Sequence, residues 1–191
     1  MYFTKSLSRN LRILHKITKS WLAAKKIALT AILSALSAIL QSAGGLLPGV
    51  GLLISPLATL PILLSTVISL KHGICAYLLT NILLVLIEPS ELHIFAFTTG
   101  LLGLATGWGL RSLDRRAIII PINGVVLSAG ICLPLYILGF PILGPALSTS
   151  PDIKSIIIIF LFSVFYNWLW LELGLYILSI FSKFLSSETK S

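Results

Sequence analysis

Residues 27–70 decide the fold, and they read IALTAILSALSAILQSAGGLLPGVGLLISPLATLPILLSTVISL. The first part is an apolar run close to the length of about 20 residues with which a helix crosses the hydrocarbon core of a bilayer. Gly and Pro residues at positions 48–51 then interrupt the pattern. We therefore predict a spanning helix over residues 27–43, a loop or re-entrant turn, and a second helix that begins at about Pro56.

The rest of the chain has the composition of a membrane protein. Of its 191 residues, 57% are hydrophobic and only 10% are charged, which leaves a soluble fold too little polar surface to cover its apolar mass. Four further apolar segments predict spanning helices, at residues 74–87, 92–110, 117–140 and 155–181. We expect one all-α membrane domain over residues 27–182 with about six transmembrane helices.

The positive charges predict the orientation of this domain. With the amino terminus inside, thirteen of the fourteen Lys and Arg residues lie on the cytoplasmic side and only Lys154 lies outside. An even number of spans brings both termini to the cytoplasm of a multi-pass protein in the cell membrane. The net charge of +8 fits the anionic headgroups of the lipid bilayer, and nucleic-acid binding is not expected.

Residues 1–26 predict a basic amphipathic segment that lies on the membrane surface. Its cations are spaced by three or four residues and so share one helical face; they include Lys5, Arg9, Arg12, Lys16 and Lys19. A cleaved transit peptide is the alternative, because the segment has no acidic residue, and a signal peptide is a weaker one. At the other end of the chain, residues 183–191 predict a polar cytoplasmic tail.

Small residues form rows on two of the predicted helices, and such rows let another helix approach closely. The rows are Ala24, Ala28, Ala31 and Ala35, then Ser34, Ala38 and Ser42, and on the fourth helix Gly100, Gly103 and Gly107. Ala31 and Ala35 predict a docking face for a partner, with packing inside the same chain as an alternative of equal weight. For the glycine row, internal packing is favoured.

Polar side chains inside apolar spans are the informative ones, because they are costly unless they find a partner or line a cavity. They are Asn81, Asn123, Asn167 and Glu172. Glu172 is expected to pair with a cation at the inner surface or to hydrogen-bond within the bundle, rather than to touch a substrate. Asn167 belongs to an aromatic run with Trp168 and Trp170 that can stack on a flat ligand, unless one of the two Trp residues faces lipid.

The predicted outer loop after the third span carries Glu88, Glu91 and His93. With the loops at residues 44–51 and 140–151, these side chains are predicted to roof a pocket open to the outside. Their spacing can suggest a metal site. The favoured interpretation is that all three are solvated surface residues, so no metal site is expected. The sequence has no nucleotide-binding loop, HExxH or GxSxG motif, so we predict no catalytic residue, no cofactor and no enzyme.

The layout of the chain resembles a known family. About six helices, an Ala-rich first helix with the residues AILSA at 31–35, and a Gly/Pro-interrupted segment after it are similar to the substrate-binding S components of energy-coupling factor transporters. The stretches ISPLATLP (54–61), KHG (71–73) and GLLGLATGWGLR (100–111) also resemble the YybS-like membrane proteins, which look like relatives of the S components.

The resemblance implies a function and a set of site residues. In S components the small-residue face of the first helix, here Ala31 and Ala35, docks on a transmembrane T component coupled to ATPase subunits. A vitamin-like small-molecule ligand sits near the outer face, capped by the loop after the first helix, here residues 44–51. The ligand contacts expected in this chain are Asn81, Glu88, Tyr136, Asn167, Trp168 and Trp170. The alternative function is a non-transporting membrane scaffold or assembly factor.

Overall fold

The computed structural model describes residues 18, 20–113, 115–137, 139 and 152–188, the last with side chains as far as residue 182. Over these ranges the chain forms helices and no strand. The helices are α1 (Ala23–Leu46), α2 (Gly51–Ile68), α3 (Leu70–Ile87), α4 (Pro89–Ile94), α5 (Gly100–Ser112), α6 (Arg116–Ile137) and α7 (Ile153–Glu188). A 3-10 turn at Ser55–Ala58 lies within α2, and a π-helical turn at Phe95–Thr99 joins α4 to α5.

The expectation of an α-helical, multi-pass membrane protein is confirmed. In the described part of the chain, five helices are long and apolar enough to cross a bilayer, namely α1, α2, α3, α6 and α7. The last of them continues to Glu188, into the segment predicted to be a tail. Most of the predicted amphipathic segment at residues 1–26 lies outside the described residues.

The turn between α1 and α2 is tighter than expected. The Leu47 N–H donates to the Ala43 carbonyl at 2.9 Å, and α2 begins at Gly51 instead of near Pro56. A Cβ at Gly51 would lie 1.8 Å from the Ala43 carbonyl oxygen, so only glycine lets the two helices meet this closely. Pro56 does not delay the helix, because it lies at the start of the 3-10 segment Ser55–Ala58, where the regular α-helical hydrogen-bond pattern is already interrupted.

The two ends of the bundle carry opposite charges. Contacts such as Ser37 with Ala58 show that α1 and α2 run antiparallel, and those between Gly124 and Val164 show the same for α6 and α7. The helices therefore gather Lys25, Lys26, Lys71, Arg111, Arg115 and Arg116 at one end, which we call the basic end. The opposite end, which we call the acidic end, carries Glu88, Glu91 and Asp152 beside Lys154.

A single extended residue, Ser69, separates α2 from α3 at the basic end. Arg111 on α5 reaches across and donates from Nη1 to the carbonyls of Val67 and Ile68, at 2.8 Å and 3.0 Å. These carbonyls lie in the last turn of α2, where no backbone N–H of the same helix is in position to donate to them. The guanidinium therefore caps α2 and ties α5 to it.

The glycine row of α5 packs inside the bundle, as predicted. A Cβ at Gly103 would lie 2.7 Å from the Thr59 carbonyl oxygen, and one at Gly107 would lie 2.5 Å from the Thr66 Cβ. Both distances are shorter than a side chain tolerates, so α5 approaches α2 closely because these positions carry no side chain. The fully buried Leu63 and Leu171 continue this core towards α7.

Candidate functional site

A buried polar cluster lies at the acidic end, where α1, α4 and the π turn meet. Gln41 Nε2 donates to Glu91 Oε2 at 2.7 Å, and Thr99 Oγ1 donates to Gln41 Oε1 at 2.7 Å. The Glu91 side chain is only 6% exposed. Among the described residues no Lys or Arg forms an ion pair with it. The cluster therefore buries a carboxyl group whose side-chain hydrogen bond comes from an amide, not from a cation.

Two consecutive glycines make room for the carboxyl groups. A Cβ at Gly44 would lie 2.5 Å from Glu91 Oε1, and one at Gly45 would lie 2.8 Å from Glu88 Cδ. Burial raises the pKa of Glu91, the hydrogen bond from Gln41 opposes that rise, and the neighbouring Glu88 adds to it. Glu91 consequently keeps its proton to higher pH than a solvated glutamate does.

The expectation that Glu91 is a solvated loop residue is wrong. Residues 89–94 form the helix α4, which begins at Pro89 because proline is well suited to the first helical turn. This helix packs Leu92 against the buried Phe95 cluster and directs Glu91 towards α1. Glu88 is half-buried and accepts a hydrogen bond from Ser90 Oγ at 2.6 Å, and His93 is exposed.

A groove of about 410 Å³ lies between α3 and the segment formed by α4 and the π turn. Its walls are almost entirely apolar, and they are formed by Asn81, Ile82, Val85, Leu92, His93, Ala96 and Phe97. Asn81 is half-buried and donates from Nδ2 to the Tyr77 carbonyl at 2.8 Å. An apolar wall with a few polar groups is the usual lining of a small-molecule site, where the polar groups orient the ligand.

This groove does not bring together the six residues predicted to contact a ligand. Asn81 lines the groove, and Glu88 follows the carboxyl end of α3 nearby. The other four lie on α6 and α7 and are not among the residues that line the groove. They are Tyr136, Asn167, Trp168 and Trp170.

Asn167 is fully buried in a network within the bundle. Its Nδ2 donates to the Ile120 carbonyl at 3.0 Å, and its Oδ1 accepts from Thr106 Oγ1 at 3.2 Å. Asn123 Nδ2 in turn donates to Thr106 Oγ1 at 3.3 Å. Three helices thus share one chain of hydrogen bonds, and the donor and acceptor groups of Asn167 are both occupied by protein.

The aromatic run of α7 is divided between two faces of the helix. Trp170 is 3% exposed and packs in a core cluster with Leu102 and Leu127, whereas Trp168 is 36% exposed on the outer surface. Tyr136 packs against the same cluster from α6. The two Trp side chains therefore do not form one stacking surface, because positions 168 and 170 point in nearly opposite directions on a helix.

Glu172 forms an ion pair, which is one of the two roles predicted for it. Arg116 Nε donates to Glu172 Oε1 at 2.7 Å, and both side chains are largely buried. The pair joins the start of α6 to α7 at the basic end, so it is a structural contact between helices.

The small residues of α1 separate into an outer and an inner row. Ser34, Ala38 and Ser42 are buried, and Thr80 on α3 donates to the Ser34 carbonyl at 3.2 Å. The other row is exposed along its whole length, and it consists of Ala24, Ala28, Ala31 and Ala35. The inner row packs within the chain, and the outer row offers a surface on which another helix can approach closely.

No family model, curated protein or solved structure matches this chain. The function is therefore argued from the geometry of the groove, the polar cluster and the outer face of α1.

Gln41 and Thr99 are site residues that the sequence patterns did not predict. Of the two, only Gln41 could have been recognised from the sequence. It is the only amide within residues 27–43, and a buried amide needs a hydrogen-bond partner. Its partners lie 50 and 58 positions away in the chain, so local patterns do not reveal them.

Proposed function

We propose that this protein is the solute-binding membrane subunit of an ATP-driven uptake system, similar in role to an S component. It crosses the cell membrane six times, with the π turn and α5 together making one crossing and α4 lying at the outer end of it, and both termini are cytoplasmic. In this orientation the basic end faces the cytoplasm, in agreement with the preference of Lys and Arg for that side. A vitamin-like solute enters at the acidic end.

The exposed alanine row of α1 is the observation that carries this proposal. Large side chains such as Ile32, which is 63% exposed, suit a helix surface that faces lipid alone. A row of alanines that includes Ala31 and Ala35 instead leaves a shallow strip for close contact with another transmembrane helix. Because the sequence has no nucleotide-binding loop, a partner complex must supply ATP hydrolysis.

The groove beside α3 supports a small-molecule site at the acidic end. Its volume of about 410 Å³ falls within the range of roughly 300–1,000 Å³ that ligand pockets occupy. The Asn81 amide and the His93 side chain provide polar groups in an otherwise apolar wall, so a solute with an apolar body and a hydrogen-bonding edge fits it.

The experiment that tests this proposal compares substitutions on two faces of α1. Ala31→Trp and Ala35→Trp fill the strip, whereas Leu36→Trp places the same side chain at a similar depth on another exposed part of the helix. Each tagged variant is extracted from native membranes in mild detergent, and the recovered ATPase and membrane partners are quantified by mass spectrometry. We expect the two alanine variants to lose these partners and Leu36→Trp to keep them. Equal recovery from all three would contradict the proposal.

A scaffold function rests on the same exposed row, since close helix contact serves assembly as well as transport. The composition of the recovered complex separates the two functions. Partners that depend on Ala31 and Ala35 but include no ATPase subunit would favour the scaffold.

A further inference from the structure

Glu91 lies where several sources of negative potential meet. It packs against Gly44 in the last turn of α1, and it follows the carboxyl end of α3 by only a few residues. Carboxyl ends of helices carry partial negative charge, and Glu88 adds a second carboxyl group nearby. Glu91 itself lies in the first turn of α4, where the partial positive charge of a helix amino terminus opposes this potential.

No described cation compensates for ionisation of Glu91. The elements packed against α4 are α1, α3 and the π turn. From α1 the facing polar group is the neutral amide of Gln41, and the π turn adds the hydroxyl of Thr99, one step further along the same chain of hydrogen bonds. At the end of α3 the facing group is the carboxyl of Glu88. On α4 itself, His93 is exposed two positions further on.

We propose that Glu91 is a protonation switch at the acidic end of the bundle. In its protonated form Glu91 holds the last turn of α1 against α4, and its ionisation weakens that contact. This inference concerns the contact between two helices and does not depend on which solute the protein binds. In the orientation proposed above, the switch responds to the pH outside the cell.

The direction of the pH dependence follows from the raised pKa. The folded protein favours the protonated carboxyl group, so the stabilisation is complete below the pH at which a solvated glutamate titrates. It is lost as the pH rises through the pKa of the buried group. The last turn of α1 should therefore open more often at higher pH.

The test measures that opening with two cysteines in a full-length chain lacking Cys75 and Cys132. Ala43→Cys places a thiol in the buried last turn of α1, and Leu47→Cys places one at an exposed position just beyond it. The ratio of their labelling rates, measured from roughly pH 4 to 8, largely removes the pH dependence of the thiol itself. We expect the ratio to rise with pH, with a slope of at most about tenfold per pH unit, the limit for release of one proton.

Glu91→Gln keeps the shape of the side chain and removes the titration, so the ratio should become independent of pH. A flat ratio in the parent protein, or the same rise in Glu91→Gln, would overturn the proposal. Glu88→Gln provides a second test that does not require the first variant to fold. It should move the rise to lower pH, because it removes the charge that helps to keep Glu91 protonated. An unchanged midpoint would count against the switch.

Discussion

Replacement of Asn167 by alanine removes the centre of the hydrogen-bond network between α5, α6 and α7. The bonds lost are those from Nδ2 to the Ile120 carbonyl and from Thr106 Oγ1 to Oδ1. Thr106 keeps Asn123 as a donor, but its own hydroxyl loses its acceptor, whereas the Ile120 carbonyl keeps its backbone bond within α6. A side-chain hydrogen bond in a membrane bundle contributes about 0.6 kcal/mol on average and at most about 1.7. A buried group left unpaired costs about 1–3 kcal/mol.

We therefore expect Asn167→Ala to lower the free energy of unfolding by about 2 kcal/mol, since one buried group loses its partner and a second bond is lost with it. The assay is unfolding by SDS in mixed micelles, followed by far-UV circular dichroism. Ser128→Ala is the matched control, because its hydroxyl donates only to the Gly124 carbonyl of its own helix. If both variants unfold at the same SDS fraction as the parent, the network does not stabilise the bundle.

Two further predictions concern packing and topology. Gly130→Ala should destabilise the protein by about 1–3 kcal/mol or more, because its Cβ would lie 2.0 Å from the backbone oxygen of Phe97. Gly109→Ala should cost less in the same SDS titration, because its Cβ would meet side chains, Ile119 at 3.0 Å and Asn123 Nδ2 at an ordinary contact distance of 3.7 Å. The topology is tested in intact cells with single cysteines in a chain from which Cys75 and Cys132 have been removed. Ser112→Cys should resist an impermeant thiol reagent and Asp152→Cys should react with it. The opposite pattern would reverse the orientation.

The helices follow from the sequence because hydrophobic length is a local property. The apolar runs at residues 27–43 and 155–181 become α1 and α7, with extensions at their ends. The start of α2 at Gly51 was not predictable in the same way. It depends on the contact of Gly51 with the Ala43 carbonyl, and such a contact is visible only once both helices are in place.

The candidate site was predicted less well than the fold, for a related reason. Asn167 was recognised as a buried amide that needs a partner, but the partner is the Ile120 carbonyl within the bundle. Nothing in the sequence around Glu91 distinguishes it from a solvated glutamate in a loop. It is buried because Gly44 leaves room for its carboxyl group and Gln41 donates a hydrogen bond to it, and both lie on a helix distant in sequence.

Native mass spectrometry of the protein purified from its own membranes shows whether the groove holds a solute. We predict that a small molecule other than lipid stays bound at one copy per chain. Its occupancy should fall in Asn81→Leu, which removes one of the polar groups of the groove, and should persist in Leu86→Ala, which alters an exposed residue of the same helix that does not line the groove. Absence of any retained solute from the parent protein, or equal occupancy in the two variants, would contradict the assignment of a solute site to this groove.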